Sequence, residues 1–167
     1  MWWLNYIYFF SLNSNELSKN IREYNIEVKC VSFLANSDPA AEKYAEWAAK
    51  SCAETGVKFE VRRLNRENLE DTILQANDDD EIHGIMVYYP VFGGGHDQYI
   101  QNCVSIYKDV EGLSHLYRFN MYHNIRFLSP KKTTQKNIIP CTPLGIIKVS
   151  IFGFYLISLT LFSWNTS

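Results

Sequence analysis

Val28-Lys29-Cys30-Val31-Ser32-Phe33-Leu34-Ala35-Asn36-Ser37-Asp38-Pro39 is the stretch whose reading decides the fold. Its first eight residues form an apolar, partly β-branched run, which predicts a buried strand. Asp38 then offers a short carboxylate that can accept from the first N–H groups of a helix. Pro39 suits the first helical position, where a missing N–H costs nothing. Ala, Glu and Lys dominate from Pro39 to Thr55, so this span predicts a helix, with Tyr44, Trp47 and Ala48 recurring at helical spacing. Gly56 is its expected stop.

The same alternation continues downstream. Val57 to Leu64 alternates as a second strand, and Arg66 to Gln75 reads as a short amphipathic helix with Leu69, Ile73 and Leu74 on one side. Ile82 to Tyr89 is a third buried strand. Pro90 to Gly95 reads as a flexible surface loop, and His96 to Ile106 as another helix. Strands alternating with helices predict an α/β fold with a parallel sheet flanked by helices. Ligands of such sheets sit at the carboxyl ends of the strands. Those ends are Asn36-Ser37-Asp38, Tyr88-Tyr89-Pro90 and the loop Asp109-Val110-Glu111. Gly93-Gly94-Gly95 follows a strand and precedes a helix, but the dinucleotide fingerprint fails, because Gln98 stands where its last glycine belongs.

Composition narrows the classes. A chain of 167 residues with 47% hydrophobic and 20% charged residues is globular rather than disordered. Its formal net charge is −2 and the 16 Lys and Arg are scattered, so no basic stripe marks a nucleic-acid partner. Cys30, Cys52, Cys103 and Cys141 show no CxxC spacing, which predicts a reduced, cytoplasmic protein without a disulfide framework. His83, His96, His115 and His123 are too separated to form a metal set, and His115 and His123 fall in an Asn- and Tyr-rich loop. Asn77 to Glu81 reads as a solvated acidic turn.

The two ends differ from the middle. Residues 1–27 are an irregular segment in which Asn15 to Tyr24 forms a helix remnant, residues 28–148 are the organised domain, and residues 149–167 are an atypical apolar tail. Val149 to Trp164 is 16 uncharged residues, short of the roughly 18 to 20 of a membrane span. A membrane is therefore not expected. A tail anchor, a buried helix or strand, and a translated intron or misassembled gene compete as readings. The last is favoured because Val149-Ser150 is what a GTAAGT splice donor encodes.

Four motifs in order carry a resemblance. They are Ser37-Asp38-Pro39-Ala40-Ala41-Glu42-Lys43-Tyr44, Val87-Tyr88-Tyr89-Pro90-Val91-Phe92, Lys108-Asp109-Val110-Glu111-Gly112-Leu113 and Pro140-Cys141-Thr142-Pro143-Leu144-Gly145. Together they resemble the methylenetetrahydrofolate dehydrogenase/cyclohydrolase family. Ala48 stands where the bifunctional enzymes carry the cyclohydrolase lysine, Tyr88 where they carry a glutamine, and Glu111 where they carry an aspartate. The combination resembles the monofunctional, NAD-dependent fungal branch.

The resemblance implies NAD-dependent oxidation of a folate methylene bridge, with cyclohydrolase activity absent. It implies Tyr44 as a residue stacking on the pterin, and Val87, Tyr88 and Tyr89 as pocket wall. Glu111 would hydrogen-bond the amino-pyrimidine edge, with Asp109 orienting the loop, and Cys141 is a candidate active-site thiol. The family's NAD sits on a following Rossmann domain, and nothing after Gly145 resembles one, so the cofactor site is expected outside this chain. A folate-binding module or non-catalytic fragment is the competing function. The oligomeric state is left open, a homodimer included.

Overall fold

The computed structural model describes residues 14–129 and 132–140, with positions 144 and 150. Residues 14–23 form helix α1, where the helix remnant from Asn15 to Tyr24 was expected. Next come β1 (Lys29–Leu34), α2 (Pro39–Thr55), β2 (Lys58–Arg63), α3 (Leu69–Asp78) and β3 (Gly84–Val87). Helices α4 (Gly94–Cys103) and α5 (His115–Tyr122) and strands β4 (Phe127–Ser129) and β5 (Lys132–Lys136) complete the described order. The strand order β2-β1-β3 is parallel throughout, with Ser32 opposite Val61 and Val31 opposite Ile85. The expected parallel sheet flanked by helices is the observed one.

Both faces of β1 are covered, which is why its sequence is continuously apolar rather than alternating. Val31 and Phe33 pack on one side with Leu69, Ile73, Ile85 and Ile100 under α3 and α4. Leu34 packs on the other side with Ala41, Ala45 and Tyr88 under α2. Each fully buried large side chain of this kind contributes about 2 kcal/mol of transfer free energy. Strand β2 borders only β1 among the described residues and carries Lys58, Glu60, Arg62 and Arg63, the charged surface expected of an outer strand.

Helix α2 begins as its sequence dictates. The Asp38 carboxylate accepts from the Ala40 N–H at 2.9 Å, and Gly56 ends the helix at φ 86°. Ala41 and Ala45 face the sheet, whereas Tyr44 and Trp47 are 56% and 60% exposed. Small residues at Ala41 and Ala45 let the helix pack directly on Leu34 and Tyr88.

Other boundaries shift for local reasons. Arg66–Asn68 is a 3₁₀ turn preceding α3, and Leu69, Ile73 and Ala76 are its buried residues, while Leu74 is 46% exposed. Asn77 and Asp78 extend α3 instead of lying in a turn. The Asn77 side chain donates to Cys103 O at 2.7 Å and accepts from the Ser105 N–H at 2.9 Å, joining the ends of α3 and α4. Lys108 Nζ donates to Ala76 O and Asp79 O, satisfying carbonyls at the end of α3. His115 lies in α5 and His123 caps it, so this stretch is helical rather than loop. Tyr117 explains the change, since its ring is buried and its hydroxyl donates to Ile106 O at 2.6 Å. Strands β4 and β5 form an antiparallel pair that sequence periodicity does not reveal.

Among the described residues no helix is long and apolar enough to cross a membrane, and no His, Cys, Asp and Glu group could hold a metal ion. The apolar tail from Val149 lies outside the described residues, Ser150 apart.

Candidate functional site

The carboxyl ends of β1 and β3 lie side by side, because these strands pair directly. Asn36 leaves β1 and reaches across this boundary. Its Nδ2 donates to Tyr88 O at 3.0 Å and to Pro90 O at 2.9 Å, and its Oδ1 accepts from the Asp38 N–H at 3.3 Å. The Tyr89–Pro90 peptide between those two carbonyls is cis.

Tyr44, from the second turn of α2, meets Tyr88 edge to face, with centroids 5.7 Å apart and planes at 89°. Tyr88 is only 3% exposed, and burial pushes its phenol up to about 12. Its hydroxyl has no hydrogen-bond partner among the described residues. Ser32 is the nearby hydroxyl that opposes this upward shift, but Ser32 Oγ donates to Glu60 O at 3.3 Å. The Tyr88 and Ser32 hydroxyls are thus close without a well-formed hydrogen bond between them. Tyr88 closes the floor and Tyr44 offers an exposed ring above it.

Val87 and Tyr89 lie on the opposite face of β3 from Tyr88. Val87 is a core side chain at 2% exposure, so only its backbone reaches the site. Tyr89 packs against the same core, and its buried hydroxyl also has no partner among the described residues. Burial, with Glu111, Asp97 and Asp109 nearby, raises its phenol far above the usual range.

The segment that bridges to Ile85 through Asp109, on the side of β3 away from β1, brings in Glu111. The Ile85 N–H donates to Lys108 O at 2.7 Å, and the Val87 N–H donates to Glu111 Oε2 at 3.1 Å, so this carboxylate replaces a strand rung. Burial raises the Glu111 carboxyl to about 7, against the lowering effect of the Val87 N–H. Near neutrality it therefore exists in both forms, one accepting only and one also able to donate. Such a group suits a flat heterocycle that presents an amino and a ring N–H or N along one edge.

Asp109 builds the loop that holds it. Asp109 Oδ1 accepts from the Glu111 and Gly112 N–H groups at 3.1 and 2.9 Å, and Oδ2 from Ser114 N–H at 2.9 Å. Gly112 has φ 67°, and a Cβ there would lie 3.0 Å from Ile138 O, so both backbone and space require glycine.

Sequence reasoning missed Asp97. This residue is 7% exposed, and its carboxylate accepts from the Val91, Phe92 and Gly93 N–H groups at 2.8 to 3.3 Å. His96 stacks on Phe92 at 4.0 Å. The loop expected to be flexible is thus clamped. An internal anion already uses its donors, so it does not fit a phosphate. The available signal was an aspartate in the first turn after a glycine-rich loop.

Cys141 lies outside the described residues. Burial raises the thiols of Cys30, Cys52 and Cys103, that of Cys30 to about 12, which makes them poor nucleophiles. Ala48 leaves no ionisable group one turn beyond Tyr44. A surface groove of about 520 Å³, lined by Asn15, Ser18, Lys19, Arg22, Glu23 and Glu54, contains none of the predicted site residues.

Residues 11–111 match the family of tetrahydrofolate dehydrogenase/cyclohydrolase catalytic domains. The chain is 52% identical over 134 residues to methylenetetrahydrofolate dehydrogenase (NAD(+)) of Schizosaccharomyces pombe, covering 80% of this chain and 42% of that protein. The Saccharomyces cerevisiae protein of the same name is 46% identical over 145 residues, 83% of this chain and 45% of that one. The bifunctional protein FolD of Oceanobacillus iheyensis is 30% identical over 151 residues, 81% of this chain and 50% of that protein. The solved NAD-dependent 5,10-methylenetetrahydrofolate dehydrogenase of S. cerevisiae superposes with TM-score 0.80 at 44% identity, covering 86% of this chain and 47% of that one. The chain spans about half or less of the length of the relatives it matches.

Proposed function

The chain belongs to the tetrahydrofolate dehydrogenase/cyclohydrolase family, and from that premise we propose that residues 28–148 are the folate-binding catalytic domain of an NAD-dependent methylenetetrahydrofolate dehydrogenase. The whole protein would oxidise 5,10-methylenetetrahydrofolate to the methenyl form in cytoplasmic one-carbon metabolism, which feeds purine biosynthesis. Identity to relatives named for NAD(+), at 46–52%, exceeds identity to the bifunctional FolD proteins, at 28–33%, which supports the monofunctional branch.

One observation carries the folate reading: the Glu111 carboxyl and the Tyr44–Tyr88 pair border the same strand ends. In this reading Tyr44 stacks on the folate, Tyr88 and Tyr89 form the wall, and the Val87 backbone holds Glu111 in place. Glu111 accepts from the amino-pyrimidine edge, a charge-assisted pairing. Cys141 is the candidate thiol beside them. Cyclohydrolase chemistry is not proposed, because Ala48 supplies no lysine and Tyr88 fills the space against Ala41 and Ala45. The bound nicotinamide would supply the hydride acceptor. The described residues offer it no phosphate cradle, since the donors of the loop from Val91 to Gly93 are taken by Asp97.

The test is titration of the purified chain with tetrahydrofolate, followed by tryptophan and tyrosine fluorescence, beside an NADH absorbance assay with 5,10-methylenetetrahydrofolate. Saturable binding that weakens in Glu111→Gln is expected. No binding by the folded chain sinks the folate reading. Binding without NADH formation is the expected result for this chain alone, and NADH formation by it would overturn the placing of the cofactor site outside residues 28–148.

A further inference from the structure

We propose that Asn36 is the positioning residue of the site: one side chain fixes both aromatic walls by joining the start of α2 to the backbone leaving β3. This rests on the folate reading for its functional consequence, but its geometry is independent of it. The side chain of Asn36 divides its two ends between two elements. Its Nδ2 donates to Tyr88 O and Pro90 O, the carbonyls on either side of Tyr89. Its Oδ1 accepts from the Asp38 N–H, and Asp38 in turn caps the first turn of α2 through Ala40. Tyr44 sits one turn further along that helix and touches Tyr88. The relay therefore runs from the β3 backbone through Asn36 and Asp38 to the helix that presents Tyr44.

Nothing else described supplies the Nδ2 bonds. The Tyr88 N–H is held by Phe33 O at 3.0 Å, which fixes the strand but leaves both carbonyls free to rotate away. Asp97 holds the next stretch through its N–H groups from Val91 to Gly93. Carbonyls on one side and amides on the other are thus taken by two different side chains, and only Asn36 also reaches α2. A carboxylate at position 36 could keep the Oδ1 contact, but it has no hydrogens for the two carbonyls. An asparagine is the residue that serves both.

The test combines a ligand-free and a ligand-bound readout on the full chain. Fluorotyrosine labelling gives ¹⁹F resonances that Tyr44→Phe and Tyr88→Phe assign. In Asn36→Asp, and in Asn36→Ala should the first not fold, the Tyr44 and Tyr88 resonances should move together while that of Tyr117 stays. Tetrahydrofolate affinity should weaken about tenfold, the scale on which lost pre-organisation acts. Ile73→Val, a core change away from the site, should lower stability without either effect. An unmoved tyrosine pair overturns the proposal, whatever the affinity does. So does an affinity within twofold of the parent when the parent binds. A moved pair in a chain whose parent binds no tetrahydrofolate upholds the relay and overturns the folate reading instead.

Discussion

Replacing Glu111 by glutamine should flatten the chain's stability between pH 5 and 8. The Glu111 carboxyl moves from an ordinary 4.5 to about 7 on folding, chiefly through burial. A carboxyl raised in this way binds its proton more tightly in the folded state. Its contribution is therefore greatest below about 4.5, where both states are protonated. Stability then falls as pH rises from 4.5 to about 7, because only the unfolded chain releases the proton there, and it levels off above. At about 1.4 kcal/mol per pH unit the loss comes to about 3 kcal/mol, and about 2 kcal/mol of it falls between pH 5 and 7. Glutamine can still accept from the Val87 N–H but does not titrate. Urea denaturation of both proteins at pH 5, 6, 7 and 8 measures the difference, and the four histidines, common to both, cancel. The curves should converge in slope only above pH 7. Parallel curves across the whole range would refute the burial argument and leave Glu111 an ordinary exposed carboxylate.

Tyr44→Ala should weaken tetrahydrofolate binding by about 1–3 kcal/mol, the worth of one aromatic contact, as read by calorimetry; unchanged affinity in a folded variant removes Tyr44 from the site. Asp97→Ala should leave three N–H groups without their acceptor and cost about 2 kcal/mol of stability. Hydrogen exchange at Val91, Phe92 and Gly93 should accelerate together, and unchanged exchange there denies the clamp. Gly84→Ala would place a Cβ 2.6 Å from Val110 Cγ1 and 3.4 Å from Cys30 Sγ. A loss of about 1–3 kcal/mol is expected, with partial recovery in the double variant Gly84→Ala, Val110→Ala. Equal losses with and without the second change would rule out that contact as the cause.

The fold was legible wherever local chemistry and burial agree. Asp38, Pro39 and Gly56 mark the bounds of α2 through capping and a left-handed φ, and both signals act within a few residues. The continuous apolar run of β1 announced a strand covered on both faces. Which face of α2 is buried was not legible from its residues. Tyr44 neighbours Ala41 and Ala45 on the helix, and hydrophobicity ranks its large ring above the alanines for the interior, whereas Trp47, six and two residues from them, falls on the opposite side. The close approach of α2 to the sheet reverses that order, and closeness is a tertiary property no helical period encodes. Likewise α5 depends on Tyr117 finding Ile106 O, a contact across 11 residues.

The site divides in the same way, and the division says where its order comes from. Tyr44, Tyr88 and Glu111 were legible because they fall in recognisable motifs at strand ends. Asn36 was not, because it acts on backbone carbonyls, which leave no pattern in the residue types it serves, and Asp97 left only the signal of an aspartate in the first helical turn after a glycine-rich loop. Yet these two hold the segment from Tyr88 to Gly93 by its carbonyls and its amides in turn. A flat ligand between Tyr44 and Glu111 would meet a wall whose shape is set before it arrives. Binding then need not order that wall, and the free energy of stacking and of the carboxylate pairing goes into affinity. The residues that touch the ligand and the residues that make touching effective are therefore different sets.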